Sequence, residues 1–290
     1  MQLLYMTFII ALRWGNGILV TADTRVSSMI GIMREEKKIF PIGFYINGEE
    51  YDLALLAGSG DATIIKQNME NIQKIFENWF ISLQKPRSPK EDEMEKIVHE
   101  IENYLINRYS ELKNAGIEVD TTMLLASVTQ EGNPKLYKFD DRGLCEPLHD
   151  NPGYALIGSG TLTGGLLLLK LFDYDPIKFI GDRGLFSSFL IDCVSEVDTS
   201  VSPFTGDSYY IRWDEDKKRV LAGSLYPEMI KEFKEKSALR KRLIPLFWFM
   251  LDSLGEEKII ESWKELVRQI KDENIRNTIK EMIEKVGKER

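Results

Sequence analysis

A chain of 290 residues with 43% hydrophobic and 29% charged side chains is composed like a folded globular protein, long enough for one large core or a core plus a small appendage. Its net charge of -8 argues against a general nucleic-acid binder, which needs a basic face. Two cysteines (Cys145, Cys193) and two histidines (His99, His149) supply neither a disulfide framework nor a metal cluster, so no metal and no cofactor is expected.

The opening segment Met1–Met6 lacks a basic stretch and a small-residue cleavage site and does not read as a secretory signal. Thr7–Leu12 and Gly17–Ala22 are strand-forming runs, and the Gly15-Asn16-Gly17 between them is a strong hairpin signal. Further strands are expected at Glu35–Ile42 and Asp52–Ala57. Asp61 begins a long helix, with Ile64, Ile65, Met69, Ile72, Ile75 and Phe76 at helical spacing. The linker Lys85–Lys90 separates it from a second helix over Glu91–Lys113, where His99 reads as a solvated helix residue. Strands return at Thr121–Thr129, Pro134–Phe139, Gly143–Pro147 and Ala155–Gly158. Helices follow near Leu162–Phe172 and Leu185–Val197, then strands at Ser208–Trp213 and Arg219–Leu221. Strands, two helices, strands, two helices and strands fit two antiparallel sheets with helices on both outer faces, an α+β sandwich.

From Pro227 the texture turns rich in Lys and Glu, with apolar residues at helical spacing from Phe233 to Ile283. This predicts a helical appendage of three helices, punctuated by Pro245 and Gly255. The expected division is 7–224 for the sandwich and 225–290 for the extension. Gly164–Phe172 and Ile244–Leu254 fall far short of the ~20 apolar residues of a membrane span, so no membrane partner is expected and the location expected is cytoplasmic.

The chemistry lies in an ordered set of short motifs. Thr7-Phe8-Ile9-Ile10-Ala11-Leu12 is followed by Ala22-Asp23-Thr24-Arg25 and then Lys37-Lys38-Ile39-Phe40. Leu56-Ala57-Gly58-Ser59-Gly60 precedes the first helix, and Ile157-Gly158-Ser159-Gly160 precedes the third. Each is common alone. Together, over Thr7–Leu221, they resemble proteasome β-subunits and their bacterial relatives of the Anbu group, N-terminal-nucleophile hydrolases. The Asp23-to-Lys38 spacing is one residue shorter than that family's.

The resemblance implies a four-layer αββα sandwich and a threonine peptidase with Thr7 as nucleophile once Met1–Met6 is gone. An N-terminal threonine carries its own base, the α-amino group, whose reference pKa of about 7.7–8.0 suits proton transfer near neutrality. Lys38 is then expected to keep the amine basic and Asp23 to hold Lys38. Gly58 is expected to offer a backbone N–H to an oxyanion, and Ser159 and Asp198 to surround the amine. The family's serine three residues after the aspartate is missing, so either Thr205 replaces it beyond a longer loop or the network is rebuilt. Val26 and Leu56 are candidate pocket residues. Met6 precedes Thr7 where relatives carry glycine, leaving a start at Met6 or a short propeptide as alternatives. The expected substrate is a peptide or protein, in a homo-oligomeric ring or stack, with any unfoldase partner unknown. Two alternatives stand beside this reading: a peptide ligase or transpeptidase, to which the appendage points, and a non-catalytic structural subunit.

Overall fold

A computed structural model describes residues 7–27, 33–35, 37–46, 48–203 and 205–288. The chain opens with β1 (Ile9–Trp14), β2 (Gly17–Asp23), a short ribbon of β3 (Arg25–Ser27) and β4 (Met33–Glu35), then β5 (Ile39–Ile46) and β6 (Glu49–Gly60). Helices α1 (Ala62–Ile81) and α2 (Glu91–Asn114) follow, then β7 (Thr121–Val128), β8 (Pro134–Phe139), β9 (Cys145–Pro147) and β10 (Tyr154–Ile157). A π-helical turn at Thr161–Gly165 leads into α3 (Leu166–Leu171), and α4 (Arg183–Val197), β11 (Thr205–Asp214) and β12 (Arg219–Ser224) complete the sandwich. The chain then continues as α5 (Pro227–Leu254), α6 (Glu256–Arg268) and α7 (Glu273–Lys288).

Two five-stranded antiparallel sheets result, in the orders β10-β1-β2-β11-β12 and β5-β6-β7-β8-β9. Alternation along β1 explains how they stack. Ile9 and Ala11 point into the core between the sheets, with Val20 and Ala22 of β2 and Leu55, Ala57, Leu124 and Ala126 of the second sheet. Phe8, Ile10 and Leu12 point the other way, onto Leu169 of α3 and Leu190, Ile191 and Val194 of α4. The second sheet's outer face, with Leu56, Met123 and Leu125, packs under Ile72 and Phe76 of α1 and Ile97, Ile101 and Leu105 of α2. Both sheets are covered on both faces, which is why their central strands read as nearly continuous apolar runs.

Local chemistry fixes the boundaries. Asp61 caps α1 by accepting from the N–H groups of Thr63 and Ile64. Gly143 has φ +87 and closes a turn by donating to Asp140, so the strand expected from Gly143 begins only at Cys145. The strand expected over Glu35–Ile42 is divided: Glu35 belongs to the β3–β4 ribbon, and pairing with β6 starts at Ile39 opposite Ala57. Pro245 does not end its helix; α5 runs through it for 28 residues. The first half of α5 is seated on α4. Phe233 packs its ring over Gly184, Ser237 donates to Asp192 at 2.9 Å, and Lys241 pairs with Asp192 and Glu196. No described helix is long and apolar enough to cross a membrane.

Candidate active site

Strand register gathers the sequence's candidate residues at one end of the sandwich. Ile9 pairs with Ala22 on β2 and with Ile157 on β10, so Thr7, just ahead of β1, lies level with the end of β2 and with Ser159. Asp23, the last residue of β2, pairs with Thr205 of β11. Lys38 enters from the other sheet, just before β5, and its backbone N–H is anchored by Asp207 Oδ2 at 3.1 Å. The site therefore bridges the two sheets.

Thr7, Asp23 and Lys38 are in direct contact there. Thr7 Oγ1 donates to Asp23 Oδ1 at 2.8 Å, and Lys38 Nζ lies 2.6 Å from the same oxygen. Lys38 Nζ also donates to Thr7 Oγ1. Thr7, Asp23 and Lys38 are only 5%, 1% and 7% exposed. A carboxylate this deep is tolerated because it is fully engaged: besides Thr7 and Lys38, Asp23 accepts from the backbone N–H groups of Phe8 at 2.8 Å and Ser202 at 3.0 Å. The hydroxyl is thus held between an ammonium, which can stabilise negative charge on its oxygen, and a carboxylate, which accepts from both partners.

A second polar group lies beside it. Ser159 Oγ is 3.0 Å from Ser200 Oγ, and Ser200 donates to Asp198 Oδ1 through both its hydroxyl and, at 3.0 Å, its backbone N–H. Thr163 donates to Asp198 Oδ2 at 3.0 Å. Burial pushes the Asp198 carboxyl up, but the hydrogen bonds from Ser200, Thr163 and Ser159 outweigh it and hold the group below its ordinary value. The glycines flanking Ser159 have a packing reason. Gly158 has φ +91, and a side chain there would meet the Thr7 carbonyl oxygen at 2.0 Å; one at Gly160 would meet the Phe8 ring at 2.5 Å.

Two candidates sit differently. Thr205 does not join the Asp198 group: its hydroxyl donates to Ser188 Oγ at 3.2 Å, and Ser200 holds the place considered for it. Gly58 lies on β6 one step past the Ile39–Ala57 pair, opposite Lys38, and a Cβ there would meet Ile65 of α1 at 2.7 Å and Met123 Sδ at 3.0 Å. Packing against Ile65 and Met123 therefore favours glycine at that point. Leu56 is buried in the core under α1. The side chains of Arg25 and Val26, and all of Met1–Met6, lie outside the described residues.

Sequence reading passed over Ser200, Ser202, Thr24 and Thr163. Ser202 supplies the N–H on Asp23 Oδ2, and its hydroxyl receives that of Thr24 at 2.8 Å. The available signal was the alternation Asp198-Thr199-Ser200-Val201-Ser202, which turns both serines away from buried Val201. Among the described residues no group of three or more His, Cys, Asp or Glu side chains is placed to hold a metal ion.

No protein-family model and no curated protein matches the chain by sequence. Solved structures do match in three dimensions. Anbu (ancestral beta-subunit) from Yersinia bercovieri aligns with TM-score 0.60 at 11% identity, covering 83% of this chain and 96% of that one. A (Gly-1) mutant of Anbu from Hyphomicrobium sp. strain MC1 gives 0.59 at 15%, with 82% and 96% covered, and Anbu from the same organism gives 0.57 at 14%, with 81% and 96% covered. The chain has the fold of these proteasome-like proteins, as its motifs foretold.

Proposed function

We propose that this protein is a threonine hydrolase that acts on peptides, with Thr7 as its N-terminal nucleophile once residues 1–6 have been removed. The observation that carries this reading is the buried contact of Thr7 Oγ1 with both Lys38 Nζ and Asp23 Oδ1. A structural threonine at a strand end needs no lysine brought from the other sheet and buried beside it. The Anbu fold is consistent with the reading.

In the proposed cycle the freed α-amine takes the Thr7 hydroxyl proton, directly or through a water, as Oγ1 attacks the substrate carbonyl. The Lys38 ammonium disfavours a protonated amine and stabilises the negative charge developing on Oγ1. Asp23 fixes Lys38 and is itself held by Ser202. The Gly58 N–H is the proposed donor to the tetrahedral oxyanion. Collapse breaks the carbonyl–nitrogen bond, the leaving amine receives the proton, and an ester on Thr7 remains. A water deprotonated by the same amine then cleaves that ester. The Ser159–Ser200–Asp198–Thr163 group is assigned the role of orienting the amine and the water. We further propose homo-oligomeric assembly that encloses this end of the sandwich. Transfer of the acyl group to a second amine, rather than to water, is the alternative outcome of the same ester.

The test is treatment of protein beginning at Thr7 with a peptide β-lactone, which esterifies an activated hydroxyl. The expected result is one adduct per chain, mapped to Thr7 and absent in Thr7→Ala. No adduct, or an adduct elsewhere, contradicts the assignment. Release of the acyl group by water, or its capture by added peptide amines, separates hydrolysis from transfer.

A further inference from the structure

The outer half of α5 has the wrong surface for an isolated helix. From Leu243 to Leu251 it carries no charged residue, yet Leu246, Trp248 and Phe249 are 58%, 67% and 65% exposed. Among the described residues only one side of it is covered. Phe247 stacks on Trp263 of α6, with ring centroids 5.0 Å apart and planes 13° from parallel. On the far side, Arg242, Pro245, Phe249 and Asp252 recur at intervals of three, four and three residues, the spacing of a seam between two packed helices. Leu246 flanks that seam. An apolar helix face of this extent is normally buried against a partner.

The charges identify the partner. The apolar run is preceded by Arg240-Lys241-Arg242 and followed by Asp252. Lys241 is already engaged on α4, whereas Arg242 and Asp252 have no ion-pair partner among the described residues. If a second α5 lies antiparallel across the first, with a two-fold axis level with Phe247, Arg242 falls opposite Asp252 and Pro245 opposite Phe249, while Leu246 on the flank faces its own copy. Every seam residue then has a complementary mate on an identical helix, as a two-fold interface requires. An anionic lipid surface would attract the basic end of this seam and repel Asp252; only antiparallel self-pairing uses both ends.

We propose that the exposed seam of α5 is a two-fold interface with a second copy of this chain, formed by antiparallel pairing of the two helices. This stands on the helix surface alone and is independent of the chemistry at Thr7. The experiment is sedimentation velocity of the full-length protein over a concentration series. Phe249→Asp is expected to halve the assembled mass at concentrations where the wild type is fully paired, weakening association at least ~10-fold. Arg242→Asp and Asp252→Arg alone each place like charges opposite one another, and each is expected to weaken association by about fivefold. The double variant Arg242→Asp/Asp252→Arg restores opposite charges and is expected to return to within about twofold of the wild type. All three residues are exposed, so circular dichroism is expected to show unchanged folding. Wild-type mass in all variants overturns the proposal, as does a double variant weaker than both singles. Binding of a monomeric wild type to anionic vesicles through Phe249 overturns it equally.

Discussion

The two ends of this molecule invert the usual distribution of side chains in opposite ways. At the mouth of the sandwich a lysine and an aspartate, 7% and 1% exposed, are buried against a threonine with their polar atoms engaged. In the outer half of α5, tryptophan, phenylalanine and leucine face water. Buried charge and exposed apolar surface are the two departures that ordinary packing does not explain. The first is where we propose that the chemistry lies, the second where we propose that a partner docks. The contrast teaches that the appendage and the sandwich answer to different requirements, even though Phe233, Ser237 and Lys241 lock the root of α5 to α4.

The strongest test of that contrast is at Thr7. Thr7→Ala removes the hydroxyl but leaves the Lys38–Asp23 pair in place, so peptide turnover is expected to fall by at least about 10³-fold with little change in melting temperature or assembly. Next comes Lys38→Ala, which is expected to abolish turnover and also to destabilise the fold by about 3–5 kcal/mol, because buried Asp23 loses the Lys38 ammonium. Adding Asp23→Asn to that variant is expected to recover stability in denaturant titrations and no activity. Equal stability in the single and double variants would mean that the pair is not buried as described.

Gly158→Ala places a methyl group 2.0 Å from the Thr7 carbonyl in a backbone conformation of φ +91. A loss of about 1–3 kcal/mol is expected, together with reduced turnover from displaced Thr7. Asp198 gives a pH signature. Its folded-state pKa is depressed, so its stabilising contribution is present above the unfolded value and is lost as pH falls through the folded one. The wild type is therefore expected to lose about 1–2 kcal/mol relative to Asp198→Asn between about pH 4 and strongly acid solution, read from melting curves at each pH. A parallel pH dependence in both proteins would remove Asp198 from the account. The smallest effect is at the other end: Trp248→Ala is expected to change the unfolding free energy of the unassociated chain by no more than about 0.5 kcal/mol.

Much of the sandwich was legible because its causes are local. Apolar runs with hairpin and capping residues marked β1, β2 and α1, and Asp61 does cap α1. Thr7, Asp23, Lys38 and Ser159 were named through the order of their motifs, which resembles that of proteasome β-subunits, and strand register brings those distant segments level. What escaped depended on three-dimensional context. The β3–β4 ribbon is three residues a side and has no periodicity long enough to read. Ser200 and Ser202 were passed over because only the fold brings the chain after α4 back onto Asp23 and Asp198. Gly58 shows the converse: its glycine is favoured by packing against Ile65 and Met123 whatever its N–H does. Pro245 was read as a break, but a single missing N–H did not stop a helix anchored on α4 at its start and on α6 near its end.

The central claim is that Thr7 works as a free N-terminal residue, and the most direct measurement is the intact mass and N-terminal sequence of the protein purified from its native host. The account predicts a chain beginning at Thr7, since an acylated threonine amine cannot serve as the base. A fully active protein that retains Met1–Met6 would contradict it.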